Sequence, residues 1–266
     1  MVGKKLLVLF LLLISISYAC HEKENNIALV TTSSVEADLK EQVSKYPDSL
    51  PLRVKLIQLY SDSSDYKNAT KVIDDAIKRD SANPELWNIK GSVLYQSEDT
   101  MGAITAFERA ISIIPLPDYL ISIGSLYAQT KNPKALQLAD DLLGDKNAKA
   151  EKEAFFIKGL YYSYTGEKAR SIEFFDHCIQ MNYTFMPAYR EKGISLYDLG
   201  KYDEAITVLT RAVTIQNSFD EGYYWLGKCD EKLNKKQEAI DNYKTALLYD
   251  KDFVEARNAL NHLTSK

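Results

Sequence analysis

The sequence has few of the residues from which catalytic and metal sites are built. Its 266 residues include three histidines and three cysteines, and the histidines lie far apart along the chain. Neither of the glycine-rich motifs that bind nucleotide phosphates is present. Lys and Arg number 33 against 37 for Asp and Glu, a formal net charge of −4. Because there is no basic excess to neutralise phosphates, neither a nucleotide nor a nucleic acid is expected as a partner.

Long hydrophobic runs are also rare, and the clearest one lies at the start of the chain. Lys4 and Lys5 precede residues 6–16, which are apolar apart from Ser15. A membrane-spanning helix needs about 20 apolar residues, so this run is too short to cross a bilayer comfortably. A positive start, a short apolar stretch and small residues after it are typical of a secretion signal. We therefore predict a signal peptide over residues 1–19.

The end of this segment resembles the lipobox of bacterial lipoproteins. Ser17, Tyr18 and Ala19 precede Cys20, although the family usually has Leu where Ser17 stands and a small residue where Tyr18 stands. The resemblance implies that Cys20 becomes a lipidated first residue on the bacterial cell envelope, on the outer membrane. It leaves residues 20–34 as the lipidated cysteine and a polar tether. Ordinary cleavage after Ala19, with Cys20 unmodified, is the alternative.

The two remaining cysteines are predicted to be small buried residues. Cys178 and Cys229 lie on predicted helices about one and a half repeats apart. A disulfide, the alternative, would need their Cα atoms within about 7 Å. His177 is next to Cys178, but adjacent residues on a helix point in different directions, so joint metal binding is not expected.

The most informative feature of the chain is a repeat of 34 residues. Small residues recur on one lattice of this period, and alanines and bulky residues recur on others. Each pair of helices built this way leaves an apolar face that only a neighbouring pair can cover. The registered columns are Gly91, Gly159, Gly193, Gly227; Ala69, Ala103, Ala205, Ala239; Ala76, Ala110, Cys178, Ala212, Ala246; and Ile73, Phe107, Phe175, Leu209, Tyr243.

This spacing resembles the tetratricopeptide repeat, in which an aromatic residue is followed by a small residue, then alanines, a bulky residue and a closing proline. The clearest matches are residues 87–115 and residues 189–206. Gly166 and Gly200 are predicted to lie in the turns between the helices of a pair, where glycine adopts a positive φ at little cost. The resemblance covers most of the chain after the signal segment. It implies an all-α fold, a right-handed α-solenoid of stacked antiparallel helix pairs, as in a tetratricopeptide-repeat bacterial lipoprotein.

The repeat register divides the rest of the chain. Residues 35–49 are predicted to form a partial repeat helix, and residues 254–266 a C-terminal capping helix. Between them lie six repeats over residues 50–253, at about 50–83, 84–117, 118–151, 152–185, 186–219 and 220–253. The third repeat is irregular, and it is read either as a degenerate repeat or as a functional bend.

Proteins with this repeat commonly bind partners on a concave face built from the first helix of each pair. Projecting the register onto this chain gives an aromatic groove with a few charges, suited to a peptide or a partner helix. Packing of the tyrosines between helices is the alternative. The predicted groove residues are Asn88, Tyr95, Phe156, Tyr164, Arg190, Tyr197, Tyr224, Trp225 and Lys228.

The carboxylate clamp that some members use to hold a chaperone tail is absent. Its basic and amide positions are occupied here by Phe156, Leu160, Glu191, Glu221 and Trp225.

The function indicated by these features is that of a non-catalytic envelope adaptor, bound to the membrane through its lipid and to an unidentified envelope protein or peptide. No metal and no cofactor are expected. A binding module for a peptide or polysaccharide is the alternative. A third hypothesis, a hydrolase using Glu191 and Glu221, is disfavoured because such solenoids seldom provide a buried site with shifted pKa values.

Overall fold

The computed structural model describes residues 24–145 and 149–265, with side chains from residue 34 onward. Within these residues the chain is entirely helical, apart from turns. The predicted signal segment and Cys20 lie outside them. The helices are α1 (Glu24–Lys45), α2 (Leu50–Asp62), α3 (Tyr66–Arg79), α4 (Pro84–Gln96), α5 (Thr100–Ile113), α6 (Pro117–Gln129), α7 (Lys134–Gly144), α8 (Glu151–Thr165), α9 (Lys168–Met181), α10 (Met186–Asp198), α11 (Tyr202–Ile215), α12 (Asp220–Lys232), α13 (Lys236–Tyr249) and α14 (Val254–Thr264).

The helices follow the 34-residue period. We call α2, α4, α6, α8, α10, α12 and α14 the first helices and the odd-numbered helices from α3 to α13 the second helices. Successive second helices begin 34 residues apart, at positions 66, 100, 134, 168, 202 and 236. These helices therefore begin at the same 34-residue interval as the sequence repeat, as an all-α solenoid of helix pairs requires.

The first helices keep the same period except around the third repeat. Helices α6 and α8 begin at Pro117 and Glu151, one residue before the positions that the period would give. The second helix between them, α7, is the shortest of its kind, with 11 residues. The departure from the period is confined to the part of the sequence where the repeat pattern is weakest.

Four of the helix pairs are held by a close approach between a glycine of the first helix and a bulky side chain of the second. A Cβ added at Gly159 would lie 2.5 Å from Phe175 Cε1, and one at Gly227 would lie 2.6 Å from Tyr243 Cε1. Gly91 and Gly193 face Phe107 and Leu209 in the same way. In every case the partner is 16 residues later, so the glycine column of the first helices faces the bulky column of the second helices.

Neighbouring pairs are also joined by a recurring ion pair. Lys90 Nζ on α4 lies 2.7 Å from Asp74 Oδ1 on α3, the second helix of the preceding pair. Lys192 Nζ on α10 lies 2.5 Å from Asp176 Oδ1 on α9, which is the same contact three periods later. Both lysines are half-buried, so their stems cover apolar surface between the pairs while the ammonium is neutralised.

The turn between the helices of each pair contains a residue in the left-handed region. Gly166 and Gly200 have φ of 94° and 75°, which confirms the turns predicted at these glycines. The equivalent turns have non-glycine residues with φ between 55° and 66°, namely Ser64, Glu98, Lys131 and Asn234. A side chain raises the energy of this conformation by about 1–2 kcal/mol per residue, so these turns are maintained by the packing of the helices on each side.

The chain divides into two compact units, one ending at Ile123 and the other beginning at Gly124. In the first unit, α1 packs on α2, and Leu39 and Val43 contact the core formed by α2 and α3. In the second unit, α14 packs on α13, with Phe253 and Ala256 buried there. Among the described residues, none of the helices combines the length and apolarity needed to cross a bilayer.

The prediction of a polar tether up to residue 34 is wrong for part of its length. Helix α1 begins at Glu24 and continues through the Thr-Thr-Ser-Ser run at positions 31–34. A helix that has already formed extends through such residues at a cost of only a few tenths of a kcal/mol each, so polarity alone does not end it. Farther along α1, Glu36 accepts a hydrogen bond from Tyr60 of α2 and pairs with Lys40.

The close approach of Gly159 to Phe175 predicts a large cost for one added methyl group. Gly159→Ala, in the middle of α8, gains at least as much helix propensity as Gly144→Ala at the end of α7, but a Cβ at Gly144 would meet nothing within 4 Å. We expect Gly159→Ala to be less stable than Gly144→Ala by about 1–3 kcal/mol, because the ring of Phe175 must move. Urea denaturation followed by circular dichroism measures this difference, and equal stability of the two variants would contradict the packing described.

The left-handed turns predict a stabilising substitution. We expect Glu98→Gly to raise the free energy of unfolding by about 0.5–1 kcal/mol, because glycine adopts the 66° φ of this position without strain. Its neighbour Ser97 has a φ of −81°, which any residue adopts, so Ser97→Gly serves as the control and should destabilise. Thermal melts of both variants show whether each substitution stabilises or destabilises the fold.

Candidate functional site on the first helices

All nine predicted groove residues lie on first helices, but they fall into both units. Asn88 and Tyr95 are on α4 in the first unit. The other seven are in the second unit, on α8, α10 and α12. Contacts join α8 to α10 and α10 to α12, so successive first helices lie side by side in this unit.

Phe156 does not line an open surface, which corrects its assignment to the groove. Its side chain is 3% exposed and packs against Phe175 and Phe185, with ring centroids 5.9 and 5.1 Å away. The repeat register places Phe156 at a groove position, but the rings of Phe175 and Phe185 cover its phenyl ring and exclude it from water. Phe156 is therefore a core residue of the pair formed by α8 and α9.

The strongest polar feature of the second unit is a cluster of three charges. Arg190 on α10 donates from Nη1 to both carboxylate oxygens of Glu221 on α12, at 2.9 and 2.7 Å. Its Nε donates to Glu191 Oε1 at 2.9 Å. The three side chains are between 9% and 15% exposed, so one guanidinium shared by two carboxylates lies largely out of water.

Burial of Glu191 and the charges beside Arg190 raise the pKa of both residues. Burial raises the pKa of the Glu191 carboxyl above its ordinary value, and the charge of Arg190 opposes that shift only in part. Burial alone would lower the pKa of Arg190, but the charges of Glu221 and Glu191 raise it instead. With all three groups ionised the cluster carries a net negative charge, which Arg190 cannot neutralise alone.

Farther along the same helices, two turns on α10 and one turn on α12, aromatic rings replace the charged side chains. Arg190 and Tyr197 are seven residues apart on α10, and Glu221 and Trp225 are four apart on α12, so each pair shares a helix face. The Tyr197 and Trp225 rings meet at 5.5 Å between centroids and 69° between planes. We call this line of contacts, formed by Arg190, Glu191, Tyr197, Glu221 and Trp225, the α10–α12 seam.

Trp225 contributes an unused hydrogen-bond donor to the α10–α12 seam. Its indole Nε1 is buried and has no acceptor among the described residues. The ring itself is half-buried, with the centroid of the Tyr224 ring 5.5 Å away. A buried N–H without an acceptor costs about 1–3 kcal/mol, so this donor lowers the stability of the fold.

Tyr224 is more a packing residue than a groove residue. Its ring contacts Tyr243 of α13 and Phe253 before α14, at 5.8 and 5.0 Å between centroids. Burial raises the pKa of its hydroxyl, as it does for Tyr197, whose pKa is about 12. The Tyr224 ring therefore packs between helices, which is the alternative to a groove position that the sequence left open.

The other predicted residues are half-buried. Tyr164 on α8, Tyr95 on α4 and Lys228 on α12 each keep part of their side chain in water. Asn88 is half-buried too, and its Oδ1 is buried without a hydrogen-bond donor among the described residues. Part of each of these side chains is therefore accessible at the surface of its first helix.

Sequence reasoning missed a buried hydroxyl network beside the seam. Ser171 Oγ donates to Ser195 Oγ at 2.9 Å, and Ser195 Oγ lies 3.5 Å from Ser163 Oγ. Lys168 Nζ donates to Ser163 Oγ at 3.0 Å and pairs with Asp198 at 2.6 Å. These hydrogen bonds and the ion pair tie α8, α9 and α10 together.

The Arg190–Glu221 pair was also missed, although the spacing contains a signal for it. Glu221 follows Arg190 by 31 residues, which is one period less one helical turn. A search for opposite charges at that spacing would have found the pair.

The residue types of metal and thiol chemistry are not grouped in this surface. Within residues 24–145 and 149–265, no three His, Cys, Asp or Glu side chains are placed to share a metal ion. Cys178 and Cys229 are free and buried, as predicted, and burial raises the pKa of each thiol to about 12. Both thiols are therefore protonated and unreactive at neutral pH.

The raised pKa of Glu191 predicts a pH-dependent stability. Because the folded carboxyl binds its proton more tightly than the unfolded one, with a reference pKa of 4.5, this contribution to stability is complete below pH 4.5 and is lost as the pH rises through the folded value. Glu191→Gln has no such loss, so its stability relative to the wild type should rise across that window. Urea denaturation between pH 4 and 7 measures it. Glu204→Gln, at an exposed position, is the control, and parallel profiles for wild type and Glu191→Gln would refute the interpretation.

Comparison with known proteins agrees with the repeat. Family models described as TPR repeat and Tetratricopeptide repeat match residues 54–116, 152–185, 193–229 and 220–253. The curated relatives include DnaJ homolog subfamily C member 7 homologs from Schizosaccharomyces pombe and Dictyostelium discoideum, 23% and 24% identical over 77% and 82% of this chain. The chain spans about two fifths of the length of these relatives, 40% and 37%.

Solved structures show the same fold. A tetratricopeptide repeat protein from Parabacteroides merdae superposes with a TM-score of 0.67 at 18% identity, over 90% of this chain and 94% of that one. PilW, a type IV pilus biogenesis factor, superposes with a TM-score of 0.57 at 19% identity, over 79% of this chain and 97% of its own. With the period, the glycine contacts and the matched models taken together, the chain belongs to the tetratricopeptide repeat family.

Proposed function

We propose that this chain is a non-catalytic scaffold that binds another protein through the first helices of its second unit. The observation that carries the proposal is the α10–α12 seam, where a charged cluster and half-buried aromatic rings lie side by side on adjacent first helices. Aromatic residues and arginine supply much of the affinity at protein interfaces. Membership of the tetratricopeptide repeat family supports the same role, because these repeats are generally interaction modules.

The carboxylates of the hydrolase hypothesis are better explained as part of this scaffold. Glu191 and Glu221 are both hydrogen-bonded to Arg190, and together they tie α10 to α12. A general acid and base pair needs one carboxyl free to exchange a proton with substrate. Because the Arg190 guanidinium binds both carboxylates, they hold α10 and α12 together and neither is free to transfer a proton.

We further propose that the scaffold is a lipoprotein of the bacterial cell envelope, anchored through Cys20 on the outer membrane, and that it organises envelope proteins there. The support for this part is the sequence before residue 24 alone. Acyl chains contribute about 0.8 kcal/mol for each buried methylene, and more than one chain makes such anchoring stable. Binding of a peptide or a polysaccharide in the envelope is the alternative use of the same surface.

Site-specific photocrosslinking in the producing cells tests the binding surface. A photoreactive amino acid at Lys228, half-buried on α12, should capture a defined protein, whereas the same group at Lys244, exposed on the second helix α13, should not. The pair is matched in residue type and repeat, so a difference reports the helix face. Equal capture at both positions places the contact elsewhere, and capture of glycan without protein favours the alternative.

The lipid anchor has its own test. We expect Cys20→Ser to abolish incorporation of radiolabelled palmitate and to move the chain from the membrane to the soluble fraction, with the circular dichroism spectrum unchanged. Cys178→Ser and Cys229→Ser, at buried thiols, control for the loss of a cysteine. A membrane-bound Cys20→Ser protein would refute lipidation at this residue as the means of attachment.

A further inference from the structure

The first repeat has an arginine at a position that is bulky and uncharged in the repeats that follow. Arg53 is followed at intervals of 34 residues by Trp87, Ile121, Phe155, Tyr189 and Tyr223. The indole Nε1 of Trp87 donates to the main-chain carbonyl of Ser81 at 2.9 Å. One period earlier, Nε and Nη2 of Arg53 donate to the carbonyl of Pro47 at 2.9 and 2.7 Å. Arg53 therefore makes the hydrogen bond that Trp87 makes, with a charged group in place of a ring.

The guanidinium of Arg53 is buried without a counter-charge. The residue is 6% exposed, and among the described residues no carboxylate forms an ion pair with it. The contacts with Pro47 and a longer one, 3.5 Å from Nη1 to the carbonyl of Val72, leave some of its N–H donors without an acceptor. Burying a charge without compensation is costly, so a negative group beside Arg53 would stabilise the chain.

Arginine at this position of the repeat is not sufficient for such a site. Arg257, near the end of the chain, donates in the same way to the carbonyl of Lys251. It is exposed, so water solvates its charge. Burial therefore distinguishes Arg53 from its equivalent.

A cavity of about 230 Å³ lies beside Arg53, within the first unit. Its walls come from the turn between α1 and α2, from α2, from the end of α3 and from the start of α4. Arg79 supplies a second guanidinium to the wall. Burial lowers the pKa of Arg53, and the nearby charge of Arg79 lowers it further. Since a water molecule takes up about 30 Å³ in the liquid, the cavity has room for a small molecule.

The walls indicate the charge and the shape of that molecule. Asp48 and Asp80 also line the cavity, but both are exposed, and Asp80 Oδ1 accepts from the main-chain N–H of Ala82 at 3.2 Å. These carboxylates repel a multiply charged anion, such as phosphate, more than a singly charged one. A carboxylate has a single charge and two oxygens that a guanidinium binds with parallel hydrogen bonds. Leu50 and Leu86 add apolar surface, which suits a hydrocarbon body.

We propose that the cavity beside Arg53 binds a small organic acid with one carboxylate and an apolar body. The carboxylate accepts hydrogen bonds from Arg53 and Arg79 and neutralises the buried charge. The site is in a different unit from the α10–α12 seam, so this inference goes beyond the proposed function and does not depend on it.

Benzoate, benzamide and formate test the charge and the body of the ligand separately. Each is added to the full chain at constant ionic strength, and binding is followed by thermal melts and by the NMR signals of the arginine Nε–H groups. We expect benzoate to raise the melting temperature and to shift the Arg53 signal, because a ligand that binds only the folded chain stabilises it. Benzamide has no charge and formate has no apolar body, so both should have weaker effects. No effect of benzoate, or equal effects of all three, would overturn the inference.

Arg79→Gln tests the second guanidinium, with Arg109→Gln as its matched control. Both arginines are exposed on second helices of the first unit, but Arg109 does not line the cavity. We expect Arg79→Gln to weaken benzoate binding about tenfold, since it removes a charged donor, and Arg109→Gln to leave the affinity unchanged. Equal affinities for the two variants would contradict the proposed site.

Arg53→Trp separates ligand binding from support of the turn at Pro47. The indole can donate to the Pro47 carbonyl as Trp87 donates to that of Ser81, so we expect a folded chain with an unchanged circular dichroism spectrum. Without the buried charge, benzoate should no longer raise its melting temperature. A folded Arg53→Trp chain that still responds to benzoate would show that Arg53 has only a structural role. If this variant does not fold, the comparison of Arg79→Gln with Arg109→Gln decides.

Discussion

The structure depends on a single close approach that is repeated along the chain. A first-helix glycine lies against the bulky side chain 16 residues later, as Gly159 does against Phe175. No side chain fits between the two helices at this point, so the helices of a pair pack at a fixed distance and in one register. Which first-helix residues are exposed at the surface therefore depends on that register being kept from one pair to the next.

Because the pair of α10 and α11 and the pair of α12 and α13 have the same register, their first helices present equivalent positions side by side. This is how Arg190 on α10 comes to lie beside Glu221 on α12, and Tyr197 beside Trp225, although about thirty residues separate each pair in sequence. The repeat therefore builds a surface whose chemistry is set by a few positions, while the helices behind it are held by glycine and alanine contacts. A repeat protein can change its partner by altering those positions with little effect on its core.

The regular part of this molecule could be predicted from its sequence, and the irregular part could not. The columns headed by Gly91 and Ala69 predicted the helix pairs, and Gly166 and Gly200 predicted two of the turns. The burial of Phe156 could not be predicted, because its position in the register is a groove position and only Phe175 and Phe185 around it make it a core residue. The same limit applies to α1, where polar composition indicated a linker and a continuing helix was found.

The charged cluster on α10 and α12 departs from the apolar packing that stabilises the rest of the molecule. Replacing a buried ion pair by apolar residues is often neutral or stabilising, so Arg190 and Glu221 add less to stability than their geometry suggests. Glu191 makes the cluster less favourable still, because its burial raises its pKa and Arg190 does not fully offset that. A second carboxylate on one guanidinium adds little to the stability of the chain. The unpaired N–H of Trp225, one turn beyond Glu221, has the same character, because a buried donor without an acceptor lowers the stability of the fold.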